Sequence, residues 1–287
     1  MYGGTMRQPN HLADLYDQYD IFFCDIWGVL HNGISVYPSA ISALEKARKA
    51  GKFVFLLTNS PQLREALLSQ FRIVGLPPSC YDGIVTSGDI TQTLIKKGAR
   101  RIYHLGPKHD SAMYKNLDVQ LVEEFKASII LCTGLCDDDK EQPDDYKDLL
   151  CRLRTRNLPF ICANPDIFVH RGEKKIWCAG ALARIYSDLG GNVLIPGKPH
   201  CLIYDSVVTM AEQLTEKPID KSRVLAIGDS VLTDIKGAVS YGIDTLFIAS
   251  GIHLYEYTID GVIIRKKLNT FFERFRIQPA AFMMKLS

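Results

Sequence analysis

Four short polar segments, each next to an apolar run, contain the residues of this chain that could do chemistry. In the first, Asp25 follows the apolar run Ile21-Phe22-Phe23-Cys24. A carboxylate at the end of a hydrophobic strand is costly unless it binds a metal ion or takes part in a reaction. The four segments are Asp25-Ile26-Trp27-Gly28-Val29, Leu57-Thr58-Asn59-Ser60, Pro196-Gly197-Lys198-Pro199 and Ile227-Gly228-Asp229-Ser230-Val231-Leu232-Thr233-Asp234. Any one of them could be an ordinary turn or helix cap, but all four in this order indicate a single site.

The elements that must position these residues alternate between strand and helix patterns. Helical periodicity covers 39–50, 201–214 and 233–242, the last closed by Gly242. This alternation predicts an α/β fold with a mostly parallel, Rossmann-like sheet, which binds ligands at the carboxyl ends of its strands. Asp25, Thr58 and Asp229 fall at such ends. The predicted strands are 21–25, 53–57, 83–86, 101–105, 127–132, 159–163, 192–195, 224–227 and 245–248.

The bulk composition excludes several classes of protein. With 34 basic and 32 acidic side chains the net charge is only +2, which argues against a nucleic-acid partner. No apolar run approaches the roughly 20 residues that a membrane span needs, and residues 1–10 do not resemble a signal peptide. The eight cysteines form no metal motif, so we expect a cytoplasmic protein with reduced thiols. The acidic run Asp137-Asp138-Asp139 reads as a solvated loop rather than a metal loop.

Taken together, the four segments resemble the haloacid dehalogenase superfamily of phosphatases and phosphotransferases. The branch they resemble is subclass IIA, the nucleotide monophosphatase and 4-nitrophenylphosphatase-like group. The spacing from Asp25 through 33–38 and 39–50 to Thr58 matches that branch, and so do Asn164-Pro165-Asp166 and Gly180-Ala181-Leu182 in the middle of the chain. The resemblance extends from about residue 19 to residue 251.

This resemblance implies a mechanism and a set of roles. Asp25 would attack phosphorus to form an aspartyl-phosphate, and Mg²⁺ would be held by Asp25, Asp229 and the backbone carbonyl of Trp27. Asp234 would act around the metal as an outer partner. Lys198 would be catalytic and would also contact the phosphate. The implied phosphate- and substrate-binding residues are Thr58, Asn59, Ser60, Lys198, Asn164 and Asp166, of which the last two read equally well as a plain turn.

The chain departs from the phosphatase pattern at Trp27, where the family carries a second Asp that serves as general acid and base. Indole cannot titrate in this role. Three interpretations stay open. The chain could hydrolyse phosphates with an easy leaving group, or use a substitute such as His31. It could be a catalytically weak phospholigand-binding or regulatory module. It could also be dehalogenase-like, since Trp27-Gly28 resembles the aromatic-Gly pair of those enzymes, although the retained Asp229 and Asp234 argue against this.

The resemblance also implies a domain organisation. We expect a discontinuous catalytic core made of residues 1–84 and 192–287, with an α/β cap domain of residues 85–191 inserted between them. The substrate expected from the family is a small phosphorylated metabolite. The chain is expected to be a monomer or a homodimer. Its Phe-rich C-terminal segment, Phe271-Phe272 to Phe275 with Phe282-Met283-Met284, is expected to form a helix that docks on the core, with a dimer contact as the alternative.

Overall fold

The computed structural model describes residues 6–98 and 100–287 of the chain. Its strands, in chain order, are β1 (Ile21–Asp25), β2 (Phe53–Thr58), β3 (Gly83–Thr86), β4 (Arg101–Leu105), β5 (Gln120–Leu121), β6 (Ile129–Cys132), β7 (Phe160–Cys162), β8 (Phe168–Arg171), β9 (Lys174–Trp177), β10 (Val193–Leu194), β11 (Val224–Gly228), β12 (Asp244–Ile248), β13 (Thr258–Ile259), β14 (Val262–Ile263) and β15 (Ala281–Met283). Its α-helices are α1 (Pro38–Lys49), α2 (Arg64–Val74), α3 (Ser87–Lys97), α4 (Lys147–Thr155), α5 (Ala179–Asp188), α6 (Cys201–Thr215), α7 (Lys236–Tyr241), α8 (Leu254–Tyr257) and α9 (Arg265–Phe275).

The chain divides into two compact units. The first contains the chain as far as Leu57, together with Gln70–Val85 and Tyr204–Ser287. The second contains Thr58–Ser69 and Thr86–Ile203. Segments 58–69 and 192–203 therefore belong to the second unit by their contacts, whereas the sequence assigned them to a catalytic core. The functional division into core and cap stays a prediction.

A six-stranded sheet organises the first unit, in the order β15-β12-β11-β1-β2-β3. The pairs from β15 through β2 are parallel, and β1 lies between β11 and β2. All five residues of β1 are buried, which is typical of a central parallel strand covered on both faces. In register, Asp25 lies opposite Leu57 and Cys24 lies opposite Ile227. The carboxyl ends of β1, β2 and β11 therefore form one edge.

The helices of the first unit begin and end where local sequence predicts. Pro38 occupies the first turn of α1, where a missing N–H costs nothing, and α1 ends in a turn that carries three basic side chains. Helix α7 ends at Gly242, whose φ of 83° is left-handed, as predicted for a C-cap.

The C-terminal segment docks on the first unit, as expected, but not as a single helix. Phe271 and Phe272 on α9 join a buried cluster around Phe247 of β12, with the Phe247 and Phe272 rings edge to face at 5.0 Å. Phe282 belongs to the same cluster but lies in β15, which adds an edge strand to the sheet. Strand pairing with β12 therefore decided this conformation, which the isolated apolar run did not reveal.

The second unit has its own parallel sheet, in the order β10-β7-β6-β4-β5. One buried cluster centres on Phe160 and Tyr186, whose rings stack at 5.1 Å, and another includes Ile102 and Leu131. The antiparallel hairpin β8–β9, which the sequence did not predict, completes this unit.

The predicted fold class, a Rossmann-like parallel α/β sheet with a further α/β region, is confirmed. All nine predicted strands are present, with shifts of one or two residues at some ends. Within residues 6–98 and 100–287, no helix combines the length and apolar character that crossing a membrane requires.

Candidate active site

Three buried carboxylates meet at the carboxyl edge of the six-stranded sheet. Asp25, Asp229 and Asp234 are only 8%, 4% and 5% exposed, and one oxygen of each lies within 4.8 Å of the others. The strand register explains why Asp25 and Asp229 lie close together, because Cys24 pairs with Ile227 and each aspartate follows shortly after its paired residue. Asp234 is brought back by the single turn of π-helix Val231–Ile235 that precedes α7.

Backbone hydrogen bonds orient two of these carboxylates. Oδ2 of Asp229 accepts from the backbone N–H of Ile252 at 3.2 Å. Oδ2 of Asp234 accepts from the backbone N–H of Ser230 at 3.1 Å. These bonds fix the direction in which the Asp229 and Asp234 carboxylates face.

Glycines make room for this cluster. At Gly28, where φ is 85°, and at Gly251, a Cβ atom would overlap the Asp229 carboxylate. At Gly228 a Cβ atom would overlap Asp234 in the same way. The carboxylates therefore lie directly against backbone, and any side chain at these three positions would displace them. Gly28 and Gly228 lie within the segments that contain Asp25 and Asp229, and this proximity in sequence was the signal from which their role could be predicted.

The donor set of the cluster fits a hard divalent cation such as Mg²⁺. Three carboxylates buried this close together repel one another unless a cation compensates them. Their oxygens are the ligands that Mg²⁺ prefers. In another acidic group, Asp137, Asp138 and Asp139, the side chains pair with three surface cations: Lys140, Arg171 and Lys174. That loop is a surface ion-pair network, in agreement with its interpretation as a solvated loop.

Trp27 and His31 form an edge-to-face ring pair two residues beyond Asp25. Their ring centroids are 5.1 Å apart, and the backbone N–H of Gly28 donates to the carbonyl of His31 at 2.9 Å. His31 is 2% exposed, and its Nδ1 accepts from the backbone N–H of Gly33 at 2.9 Å. Burial lowers the pKa of His31 to about 4. The ring is therefore neutral near pH 7 and held in place, which makes it a poor substitute for a general acid.

The second polar centre lies in the second unit and is built around Asn59. Its side-chain amide donates to Oδ1 of Asp166 at 2.9 Å and to the carbonyl of Lys198 at 3.2 Å. Its Oδ1 accepts from the backbone N–H of Lys198 at 2.8 Å. Three segments that are far apart in sequence are thus joined through one side chain. Asn59 and Lys198 are 2% and 3% exposed.

The neighbours of Asn59 have more local contacts. Oγ1 of Thr58 accepts from the backbone N–H of Ser60 at 3.1 Å, and Oγ of Ser60 accepts from that of Gln62 at 3.2 Å. Oδ1 of Asn164 accepts from the backbone N–H of Asp166 at 3.2 Å, which closes the predicted turn. These contacts shape the two loops beside Asn59.

A cleft of about 1110 Å³ also opens in the second unit. It is lined by 14 residues, among them Tyr103, Lys108, Lys126 and Asp138, and it contains neither Asn59 nor Lys198. Lys108 and Lys126 are exposed, as surface lysines commonly are. We assign it no ligand, because the aspartate cluster and the Asn59 centre contain the buried, oriented polar groups.

Comparisons with known proteins agree with this geometry. Residues 22–120 match the family model described as haloacid dehalogenase-like hydrolase, and residues 195–260 match a related model. A crystal structure of a haloacid dehalogenase-like family hydrolase from Brucella suis 1330 is 49% identical, with a TM-score of 0.88, over 97% of this chain and 100% of that one. The 4-nitrophenylphosphatase from Thermotoga maritima shares the fold, with 23% identity and a TM-score of 0.68 over 94% and 96% of the two chains. An acid sugar phosphatase from Staphylococcus aureus is 23% identical over 83% of this chain and 90% of its own.

Proposed function

Because the chain belongs to the haloacid dehalogenase-like hydrolase family, we propose that it is a Mg²⁺-dependent phosphohydrolase that acts on a small phosphorylated metabolite through an aspartyl-phosphate. The family was predicted from the sequence, and that prediction is confirmed. The buried cluster of Asp25, Asp229 and Asp234 is the observation that carries the proposal.

Asp25, Asp229 and the backbone carbonyl of Trp27 would hold Mg²⁺, with Asp234 as an outer partner that would orient water or Lys198. Bound there, the ion would neutralise negative charge as nucleophile and phosphate approach each other. Gly28 and Gly251 support this assignment, since without side chains they let the backbone pack directly against the Asp229 carboxylate on two sides. Trp27 in place of Asp leaves the metal contact intact, because that contact uses backbone rather than side chain.

In the proposed reaction, a carboxylate oxygen of Asp25 attacks phosphorus, and the bond from phosphorus to the leaving oxygen breaks. Water then cleaves the aspartyl-phosphate, which releases inorganic phosphate and regenerates the carboxylate. We assign phosphate contacts to the Thr58 hydroxyl, to the main-chain amide of Asn59, to Ser60 and to the Lys198 ammonium group. Asn164 and Asp166 support this site by holding the loop.

Trp27 narrows the substrate class. Without a general acid at this position, an ordinary alkoxide leaves without a proton, which costs about 10²–10⁴-fold in rate. We therefore propose substrates whose leaving group is the anion of an acidic hydroxyl and needs no proton to leave, such as acyl phosphates or aryl phosphates. The name of the Thermotoga maritima relative fits this proposal, because 4-nitrophenol is an acidic leaving group. The name of the Staphylococcus aureus relative makes sugar phosphates the natural comparison.

We also propose a cytoplasmic location. All eight cysteines are free thiols and five of them are buried, which suits a reducing compartment. Whether the chain acts as a monomer or a homodimer stays a prediction.

The experiment is phosphate release from acetyl phosphate, 4-nitrophenyl phosphate and glucose 6-phosphate, with and without Mg²⁺. Asp25→Asn serves as the blank, and Asp118→Asn, at an exposed carboxylate of the second unit, as the matched control. We expect Mg²⁺-dependent turnover in the parent protein and the control, with the acyl and aryl phosphates ahead of the sugar phosphate. A flat panel would overturn the proposal and favour the phospholigand-binding alternative.

A further inference from the structure

The side chain of Asn59 satisfies both backbone groups of one residue, Lys198. Its Oδ1 accepts the Lys198 N–H at 2.8 Å, and its Nδ2 donates to the Lys198 carbonyl at 3.2 Å. Only a primary amide presents a donor and an acceptor side by side in this way. The contact resembles one rung of a β-sheet ladder made by a side chain.

Asp166 determines which way the amide faces. Its Oδ1 accepts from Nδ2 of Asn59 at 2.9 Å, so the nitrogen must point toward Asp166 and the oxygen toward the Lys198 N–H. A hydrogen bond to a carboxylate is about twice as strong as one between neutral groups. The Asp166 carboxylate thus holds the amide in the orientation that Lys198 requires.

Gly197 permits this close packing. A Cβ at residue 197 would stand 2.5 Å from Oδ1 of Asn59 and 3.0 Å from Oγ of Ser87. The segment before Lys198 therefore lies against the amide without a side chain between them. Both partners are almost fully buried, so water cannot replace these hydrogen bonds when they are lost.

We propose that the Asn59 side chain is a positioning residue, which fixes the backbone of Lys198 and so the direction in which its ammonium group extends. The catalytic role of Lys198 in this inference rests on the proposed function. The position of its backbone does not, because the hydrogen bonds to Asn59 determine it. Asn59 then has two separate duties: its main-chain amide binds phosphate, and its side chain positions the catalytic lysine. Asp166 acts through Asn59 and need not touch the substrate.

Kinetics test the catalytic part. We expect Asn59→Ala and Asn59→Asp to lower kcat by about 10- to 100-fold, the usual effect of removing an outer hydrogen-bond partner, with a smaller change in KM. In Asn59→Asp two carboxylates would face each other. The double variant Asn59→Asp with Asp166→Asn restores a donor opposite an acceptor between positions 59 and 166, but it leaves the Lys198 carbonyl without its donor, so its kcat should stay close to that of Asn59→Asp. Asn116→Asp, at an exposed position in the same unit, controls for the added charge.

Chemical labelling tests the positioning part without using activity. Acetic anhydride acetylates accessible lysines, and mass spectrometry reports the rate at Lys198, which is 3% exposed in the folded protein. We expect faster acetylation of Lys198 in Asn59→Ala and an unchanged rate at the exposed Lys115. Circular dichroism identifies any variant that fails to fold, and the double variant then provides the comparison.

The outcomes separate the two proposals. Suppose that the parent protein shows no phosphatase activity but Asn59→Ala increases the acetylation rate of Lys198. This outcome would support the positioning role and overturn the proposed function. Active protein in which Asn59→Ala changes neither kcat nor Lys198 labelling would overturn the positioning role alone. Full recovery of kcat by the double variant would also count against it, because the contact with the Lys198 carbonyl is still missing there.

Discussion

The indole of Trp27 packs edge to face with the buried His31 ring, with centroids 5.1 Å apart. His31 is fixed in turn by the Gly33 N–H, which donates to its Nδ1. The resemblance to the family's phosphatases predicts an acidic side chain at position 27, so two aromatic rings lie where we expect a proton donor. Our proposal is that the group missing here is an acid–base catalyst rather than a metal ligand, and this distinction can be tested.

Trp27→Asp should raise turnover of alkyl phosphates, by up to about 10²–10⁴-fold, because it supplies the missing general acid. Acetyl phosphate should gain far less in its first step, since its leaving group needs no proton. The measurement is kcat/KM for glucose 6-phosphate and acetyl phosphate side by side. Trp27→Asn is the control, because Asn has nearly the same shape as Asp but no titratable proton. Equal gains in both variants would mean that removing the indole, not adding an acid, caused the change.

Mg²⁺ should stabilise the folded protein through the aspartate cluster. A ligand at 100 times its Kd adds about 2.7 kcal/mol to the free energy of unfolding. Asp229→Asn should abolish most of this gain. Thermal unfolding with and without Mg²⁺ measures this effect in the parent and in the variant. Equal stabilisation of parent and variant by Mg²⁺ would place the ion elsewhere.

Gly251→Ala should weaken Mg²⁺ binding and destabilise the fold by about 1–3 kcal/mol, the usual cost of overpacking. The new methyl group would overlap the Asp229 carboxylate, which must then move. Gly134→Ala is a matched control, because the nearest atom to its Cβ is 3.6 Å away, an ordinary contact. Chemical denaturation and Mg²⁺ titration compare the two variants. If the two variants have the same free energy of unfolding and the same Mg²⁺ affinity, the close approach of Gly251 to Asp229 does not contribute to either property.

His104 should make the folded state sensitive to mild acid. Burial lowers the pKa of His104 to about 4, and its ring nitrogens contact Thr133 at 3.0 Å and Tyr114 at 3.2 Å. An unfolded-chain histidine titrates near 6.5, so between pH 6.5 and 4 the unfolded state binds more protons. The stabilisation is fully present above pH 6.5 and is lost as the pH falls toward 4.

The test is urea unfolding at several pH values in this window. His104→Gln should reduce the pH dependence of the free energy of unfolding by at most one proton, about 1.4 kcal/mol per pH unit. His31 still titrates in the same range, so part of the slope remains. An unchanged slope in His104→Gln would mean that this ring is not buried neutral.

Much of this protein could be predicted from the order of its residues alone. Apolar runs of strand length that alternate with helical periodicity determine a parallel α/β sheet, because such runs are buried only when helices cover both faces. Polar residues placed directly after these runs must gather at the carboxyl edge, since all parallel strands end there. Asp25, Thr58 and Asp229 were identified in this way, and so was the family.

Only the tertiary structure decided how these residues are held. The close approach of Gly28 and Gly251 to Asp229, and the hydrogen bonds between Asn59 and both Asp166 and Lys198, join segments up to about two hundred residues apart. No local sequence pattern predicts these contacts, because a hydrogen bond or a steric contact between distant segments depends on distances that are set only when the chain has folded. The sheet register brings residues 25 and 229 together, and burial then converts single side chains such as His31 and Asn59 into fixed parts of a site.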